Sequence, residues 1–459
     1  MNSIARFSLL VVVLLVAGFS CAGQAAFAED DVAGNPLPGD TNLIKSLTPA
    51  DARELLERKV DSLSLIGLTT ISDEVAEVLA RCKGQLNLNG LTTLSEEAAK
   101  ALAQHEGQLY LNGLNELTSV ELAARLARGT GALDLSGLTT LSAEAATALA
   151  QHKGGLQLNG LTTLSDEAIK ALAQHEGQLF LVGLRRLSDE AARALARHKG
   201  QLFLDGLSEL TSAELAARLA QGGSVSTLNL GCLTTVSDEA ARALAQHKGR
   251  LYLVGLTTLS DEAAEALARH EGQLVLSGLS ELTSAKLAAT LAQGSSDLNF
   301  RRLTTLSDEA AEALGRHNGK LSCNALTTLS EEGAQALARH EDVVGKAALS
   351  PEVAKTLAAS STWNGFLPGV STFDSPDSVA IAEALATRSG RLALPNLKKI
   401  SPETLTALIQ KEDVEIPLIE TLELIPEPDG SVTEDFVMPH WLDERQKLQR
   451  EARAARAAE

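Results

Sequence analysis

Eight of the nine histidines, His105, His152, His175, His198, His247, His270, His317 and His340, recur at one place in a repeating pattern. A column of imidazoles could hold metal ions or sense pH. The column is interrupted by Cys82, Arg128, Gln221 and Gln293. Helices lie about 8–10 Å apart, too far for neighbouring rings to share an ion whose ligand bonds are about 2 Å. Each ring is therefore expected to close the C-terminus of its helix, where a partly cationic imidazole suits the dipole. No metal and no cofactor are expected.

Serine, aspartate and glutamate are abundant, but they recur as helix caps and surface charges rather than as a unique constellation. No Gly-rich phosphate loop, HExxH or G-x-S-x-G elbow occurs. The one singular stretch is TWNGFLPGVSTFDSPD, at 362–377, whose Trp363 and Phe366 are read as patches for a degenerate core. The chain is therefore not expected to be an enzyme. After Cys21, the cysteines Cys82, Cys232 and Cys323 are too few and too dispersed for a disulfide framework or a zinc site, and read as small apolar fillers.

The remaining candidates are side chains flanked by paired leucines. Ser64, Asn87, Tyr110, Asp134, Gln157, Phe180, Phe203, Asn229, Tyr252, Val275, Asn299 and Ser322 each stand at the centre of an L-x-L or a close variant. A strand that buries both flanking leucines points its middle residue to solvent. Both tyrosines of the protein fall here, with Phe180 and Phe203, although aromatic residues are 3% of the chain. Large side chains on a solvent-facing strand are typical interface anchors. The partner-binding residues are thus expected to be Tyr110, Asp134, Gln157, Phe180, Phe203, Asn229, Tyr252 and Val275.

These positions exist because one unit repeats. The first leucines of the pairs, from Leu63 to Leu321, are separated by 23, 23, 24, 23, 23, 23, 26, 23, 23, 24 and 23 residues. A fixed period of about 20 to 50 residues marks a solenoid, in which each unit buries its apolar face against its neighbours. In the unit GQLNLNGLTTLSEEAAKALAQHE (84–106), Leu86-Asn87-Leu88 alternates as a strand, and Leu91 and Leu94 carry the core through a turn. Ser95 is an N-cap, Glu96 and Glu97 suit the first helical turn, and Gly107 reads as the helix stop. Three units, at 114–127, 207–220 and 279–292, use a variant in which Thr118–Glu121 and Thr211–Glu214 form capping boxes. Their irregular spacing is expected to come from extra residues in the helix-to-strand loops.

The pattern L-x-L-x-x-L-x-x-L-S-x-E-x-x-x-x-L-A resembles the leucine-rich repeat family over about 47–422. It is most similar to the subtype with Cys where Leu91 stands and Ile-Thr-Asp where Leu94-Ser95-Glu96 stands. It departs from the family in having Leu91 where an Asn ladder is common. The resemblance implies an α/β horseshoe, with short parallel strands on the concave face and helices on the convex face, serving as a protein-recognition surface without catalysis.

The net charge of −19 argues against a nucleic-acid partner. Residues 1–28 read as a secretory signal peptide, with Arg6, the apolar run SLLVVVLLVAGF and Ala26-Phe27-Ala28 before Glu29. An uncleaved anchor and lipidation at Cys21 are the alternatives. Cleavage would leave no membrane insertion and place the protein in the periplasm, at the cell surface or outside the cell. Residues 29–46 read as a linker, and 47–425 as the solenoid, with a cap helix at 47–60 and degenerate repeats at 341–425. Residues 426–459 read as a linker and a charged helix carrying Trp441, Leu442 and Leu448. The expected function is an exported, non-enzymatic protein-binding module that uses its concave face on a protein or peptide. The alternative is a cell-envelope spacer or self-associating scaffold.

Overall fold

A serine sits at the start of nearly every helix, and its hydroxyl accepts from the backbone amide three residues on, as Ser95 does from Ala98 N at 3.0 Å. That cap, acidic residues in the first turn and an Ala/Leu inner face give short helices such as Glu96–Leu102, in which Ala98, Ala99 and Leu102 are buried. The computed structural model describes residues 39–58, 62–222, 227–294, 297–340, 343, 345, 348–426, 443–444 and 446–447. The leader, Cys21, Trp441, Leu442 and Leu448 lie outside them. From Asp40 onward the chain forms one contact unit.

Each rung runs strand, turn, helix, and like packs on like. Helices contact helices of adjacent rungs, and strands pair in parallel, Leu63 with Leu86 and Leu86 with Leu109. Leu86, Leu88, Leu91 and Leu102 are fully buried, whereas Leu94, expected to carry the core through the turn, is only half-buried. The result is an α/β leucine-rich repeat solenoid. The first rung is covered by the helix Pro49–Glu57, whose Thr48 and Asp51 form a reciprocal capping box, and by a 3-10 turn at Thr41–Leu43. The array thus begins before 47, since Ser64 Oγ donates to Asn42 Oδ1 at 2.6 Å. At the other end, Gln446 Nε2 donates to Pro417 O at 3.3 Å and its Oε1 accepts from Ile419 N at 3.0 Å, closing backbone groups of the last rung.

Gly107 does not stop a helix, which already ends at Leu102 with Ala103 as its C-cap. Its role is close approach: a Cβ there would lie 1.8 Å from Gly84 O of the preceding rung. Positive φ is confined, among described glycines, to Gly365 and Gly390. Two asparagines outside the Leu91 place do bond the backbone of the next rung. Asn89 Oδ1 accepts from Asn112 N at 3.0 Å, and Asn159 Oδ1 accepts from Val182 N at 3.4 Å.

The three variant units change the architecture. Their helices are capped by Ser119, Ser212 and Ser284 rather than by the threonines before them. Counted to that serine, the path from Leu86 to Ser95 is 9 residues, whereas Leu109 to Ser119, Leu202 to Ser212 and Leu274 to Ser284 are each 10. The shared extra residue therefore precedes the helix; only the second variant adds more in its helix-to-strand loop, at 221–227. With one residue more, the turn extends into a second short strand. Glu116–Leu117 pairs with Thr140–Leu141, Glu209–Leu210 with Thr235–Val236, and Glu281–Leu282 with Thr305–Leu306.

At the same three places the main ladder is interrupted. Leu109–Tyr110 does not pair with Leu133–Asp134, nor Leu202–Phe203 with Thr227–Asn229, nor Leu274–Val275 with Leu298–Asn299. The rungs splay, and the leading leucines after each gap, Leu133, Leu228 and Leu298, are only half-buried. We call these three places seams.

Candidate functional site

The middle-strand residues lie in register but in four blocks, the last holding Asn299 and Ser322, and the eight candidates fall in the first three. Asp134, Gln157, Phe180 and Phe203 are consecutive across one continuous ladder. Asn229, Tyr252 and Val275 are consecutive in the next, and Tyr110 pairs with Asn87 in the first. The single stripe expected from the repeat is therefore divided at the seams, because the ladder that would align Tyr110 with Asp134, and Phe203 with Asn229, is missing there. Asn229 is exposed, and the other seven candidates are half-buried.

Within the longest block, the Phe180 and Phe203 rings stack parallel with centroids 4.2 Å apart. Beside them Gln178 Nε2 donates to Gln201 Oε1 at 2.6 Å. Tyr110 Oη donates to Gln108 Oε1 at 3.1 Å, and Tyr252 Oη accepts from Arg250 Nη1 at 3.4 Å. The apolar character spreads past Tyr252, where Val254 is exposed. Two seams are crossed on this face by an amide–carboxylate pair. Asn112 Nδ2 donates to Asp134 Oδ2 at 3.0 Å. At the second, burial raises the Asp205 carboxyl above its ordinary value while a hydrogen bond from the Asn229 side chain opposes the rise.

The histidines differ from expectation in three ways. They are buried, from 1% to 7% exposed. Their rings stack in runs, His152–His175–His198 with centroids 6.2 Å apart, and His247–His270 and His317–His340 at 6.4 Å. His105, His152, His247, His270 and His317 also serve the preceding helix rather than their own, with Nδ1 of His105 3.4 Å from Ala80 O and that of His247 3.0 Å from Ala220 O, whereas the ring nitrogens of His175 and His198 are buried without a partner. Burial pushes the His105, His175, His198, His270 and His340 imidazoles down, with neighbouring carbonyls or cations as smaller influences. These five rings are therefore held toward the neutral form, not as cations facing a dipole.

Counted from the N-cap, the residue at the histidine place in the variants is Gly129, Gly222 or Gly294, rather than Arg128, Gln221 or Gln293. Capping passes instead to Arg125 and Arg218, each donating to a carbonyl at the end of the preceding rung and to one at the start of its own, His105 O and Gly107 O, and His198 O and Gly200 O. Cys82, in a histidine place, and Cys323 are buried, but Cys232 is exposed and fills no core. Trp363 is buried as expected, with the Arg388 guanidinium 4.8 Å above its ring, while Phe366 is only half-buried.

No family model matches the chain, and no curated protein matches it. Solved structures do. A leucine-rich repeat protein of Leptospira interrogans aligns at 18% identity over 78% of this chain and 93% of its own, with a TM-score of 0.36. Toll from Drosophila, in the Toll–Spatzle complex, aligns at 11% identity over 78% and 53%, with a TM-score of 0.37. An internalin from Listeria monocytogenes aligns at 14% identity over 81% and 89%, with a TM-score of 0.24. The fold assignment rests on the rungs themselves rather than on these overlaps.

Proposed function

We propose that this protein is an exported, non-enzymatic binding module whose strand face grips a protein or peptide. The observation that carries the reading is the block Asp134–Gln157–Phe180–Phe203. Its side chains are held in register on four consecutive strands, with two aromatic rings stacked at 4.2 Å and half open to solvent. Rigid aromatics flanked by amides supply contact area at low entropic cost, together with hydrogen bonds that fix orientation. Tyr110 on one side, and Asn229, Tyr252 and Val275 on the other, extend the same face in the adjacent blocks.

The test is photo-cross-linking in the protein's own cells from a probe placed at Gln157, followed by mass spectrometry. The captured partner is then titrated against Phe180→Ser/Phe203→Ser. A loss of affinity of at least tenfold with an unchanged circular-dichroism spectrum is expected. Equal affinity for the double variant, or cross-links only between copies of the chain, would overturn the reading; the latter would favour a self-associating scaffold.

A further inference from the structure

The first seam is more than a gap in pairing. Between the rung whose strand is Leu109–Tyr110 and the rung whose strand is Leu133–Asp134 lies a cleft of about 740 Å³, within the range of about 300–1,000 Å³ that ligand sites occupy. Leu109, Leu126 and Leu133 line it as apolar surface. Leu133 is half-buried, where its counterparts Leu156 and Leu179 inside a block are 0% exposed. Past the strand the two rungs are joined by Gly137 N donating to Asn112 O at 2.9 Å and by the Asn112–Asp134 pair.

Arg125 and Arg128 also line the cleft. Arg125 is half-buried, and neither arginine makes an ion pair with a carboxylate among the described residues. Burial, and then the neighbouring Arg128 charge, lower the Arg125 guanidinium from its ordinary value. Arg125 spends Nε–H and one Nη2–H on His105 O and Gly107 O, leaving its Nη1 donors uncommitted. The other seams lack this pair: Arg218 stands beside Gln221, and the third variant has Thr290 and Gln293. Two acidic groups line the cleft as well. Asp134 is already hydrogen-bonded by Asn112 Nδ2 and by Ser136 N at 3.0 Å, and Glu106 is exposed.

We propose that the first seam is a docking site for the C-terminus of a polypeptide, distinct from the aromatic block. The last residue's aliphatic side chain seats on Leu109, Leu126 and Leu133. Its carboxylate meets Arg125 and Arg128, a pairing of guanidinium and carboxylate that favours charge-assisted, bidentate bonds. The Gln104, Gln108 and Asn112 amides on the lining suit peptide groups better than they suit an alkyl tail.

The test uses the whole chain and fluorescein-labelled random-sequence pentapeptides ending in Leu or Val, read by fluorescence anisotropy. One pool carries a free C-terminal carboxylate, a second is C-terminally amidated, and octanoate is the competitor. The free-carboxylate pool is expected to bind at least about tenfold tighter than the amidated pool. Arg128→Ala should weaken binding several-fold, and Ala132→Trp, an exposed lining position, should abolish it, both with unchanged circular dichroism. Phe180→Ser/Phe203→Ser should leave it unaltered, which separates this site from the strand face. Equal binding of the two pools, retention by Ala132→Trp, octanoate competing as strongly as an unlabelled free-carboxylate pentapeptide, or no binding up to millimolar peptide would overturn the proposal.

Discussion

Acidification should melt this solenoid in a pH window set by its imidazoles. Burial holds His105, His175, His198, His270 and His340 below the ordinary histidine value in the folded chain. Once unfolded, each returns to about 6.5. Below that pH the unfolded state binds protons that the folded state refuses, so stability is full above about pH 6.5 and declines as pH falls toward the folded values. Each such ring contributes at most about 1.4 kcal/mol per pH unit, so five set an upper limit of about 7 kcal/mol per pH unit if the array unfolds as one. Over one pH unit that limit is comparable with the whole stability of a typical domain, about 5–15 kcal/mol. Carboxylates with ordinary values near 4 stay ionised across most of this interval, so pH 6.5 to 5.5 isolates the histidines. Urea unfolding followed by circular dichroism at pH 7.5, 6.5 and 5.5 measures the slope. His175→Gln/His198→Gln should flatten it while lowering stability at pH 7.5. A midpoint that is constant or rises on acidification would refute the reasoning.

Three further outcomes follow from particular contacts. Gly107→Ala places a Cβ 1.8 Å from Gly84 O and should cost about 1–3 kcal/mol by overpacking, read as a lowered thermal midpoint. Ser95→Ala removes the acceptor of Ala98 N and should cost about 1 kcal/mol, measured by urea unfolding. Deleting Thr118 restores the 9-residue path from strand to N-cap; amide hydrogen exchange at Leu111 should then slow to the level of Leu88, whose amide donates to Tyr110 O at 2.9 Å.

The period, the capping serines and the inward leucines were legible because each is a local signal repeated many times. The strand register followed from them, since Leu63, Leu86 and Leu109 pair as the spacing implies. The seams were not legible from the leucine intervals, because an interval of 24 does not say where its extra residue lies; counting to Ser119 instead of to Leu133 locates it. The histidines misled because a ring at a helix end was assigned to that helix, whereas in a stack of rungs the nearest orphan carbonyl belongs to the preceding one, as Ala80 O does for His105. Gly107 misled for the same reason: its constraint comes from Gly84, one rung away. The cleft left a trace in Arg125 and Arg128, which share a variant unit, but it needed the splayed strands to become a space.

A column of identical rungs flexes evenly, spreading any strain along its length. Here, neighbouring rungs within a block are joined through their main strands, while rungs across a seam are joined by the short second pair, such as Glu116–Leu117 with Thr140–Leu141, and by the packing of their helices. A seam can therefore open on its strand side with the packed helices as its hinge. A load that pulls on the aromatic block would leave its own four-strand ladder joined and open the strand side of the joints at either end, one of which is the cleft.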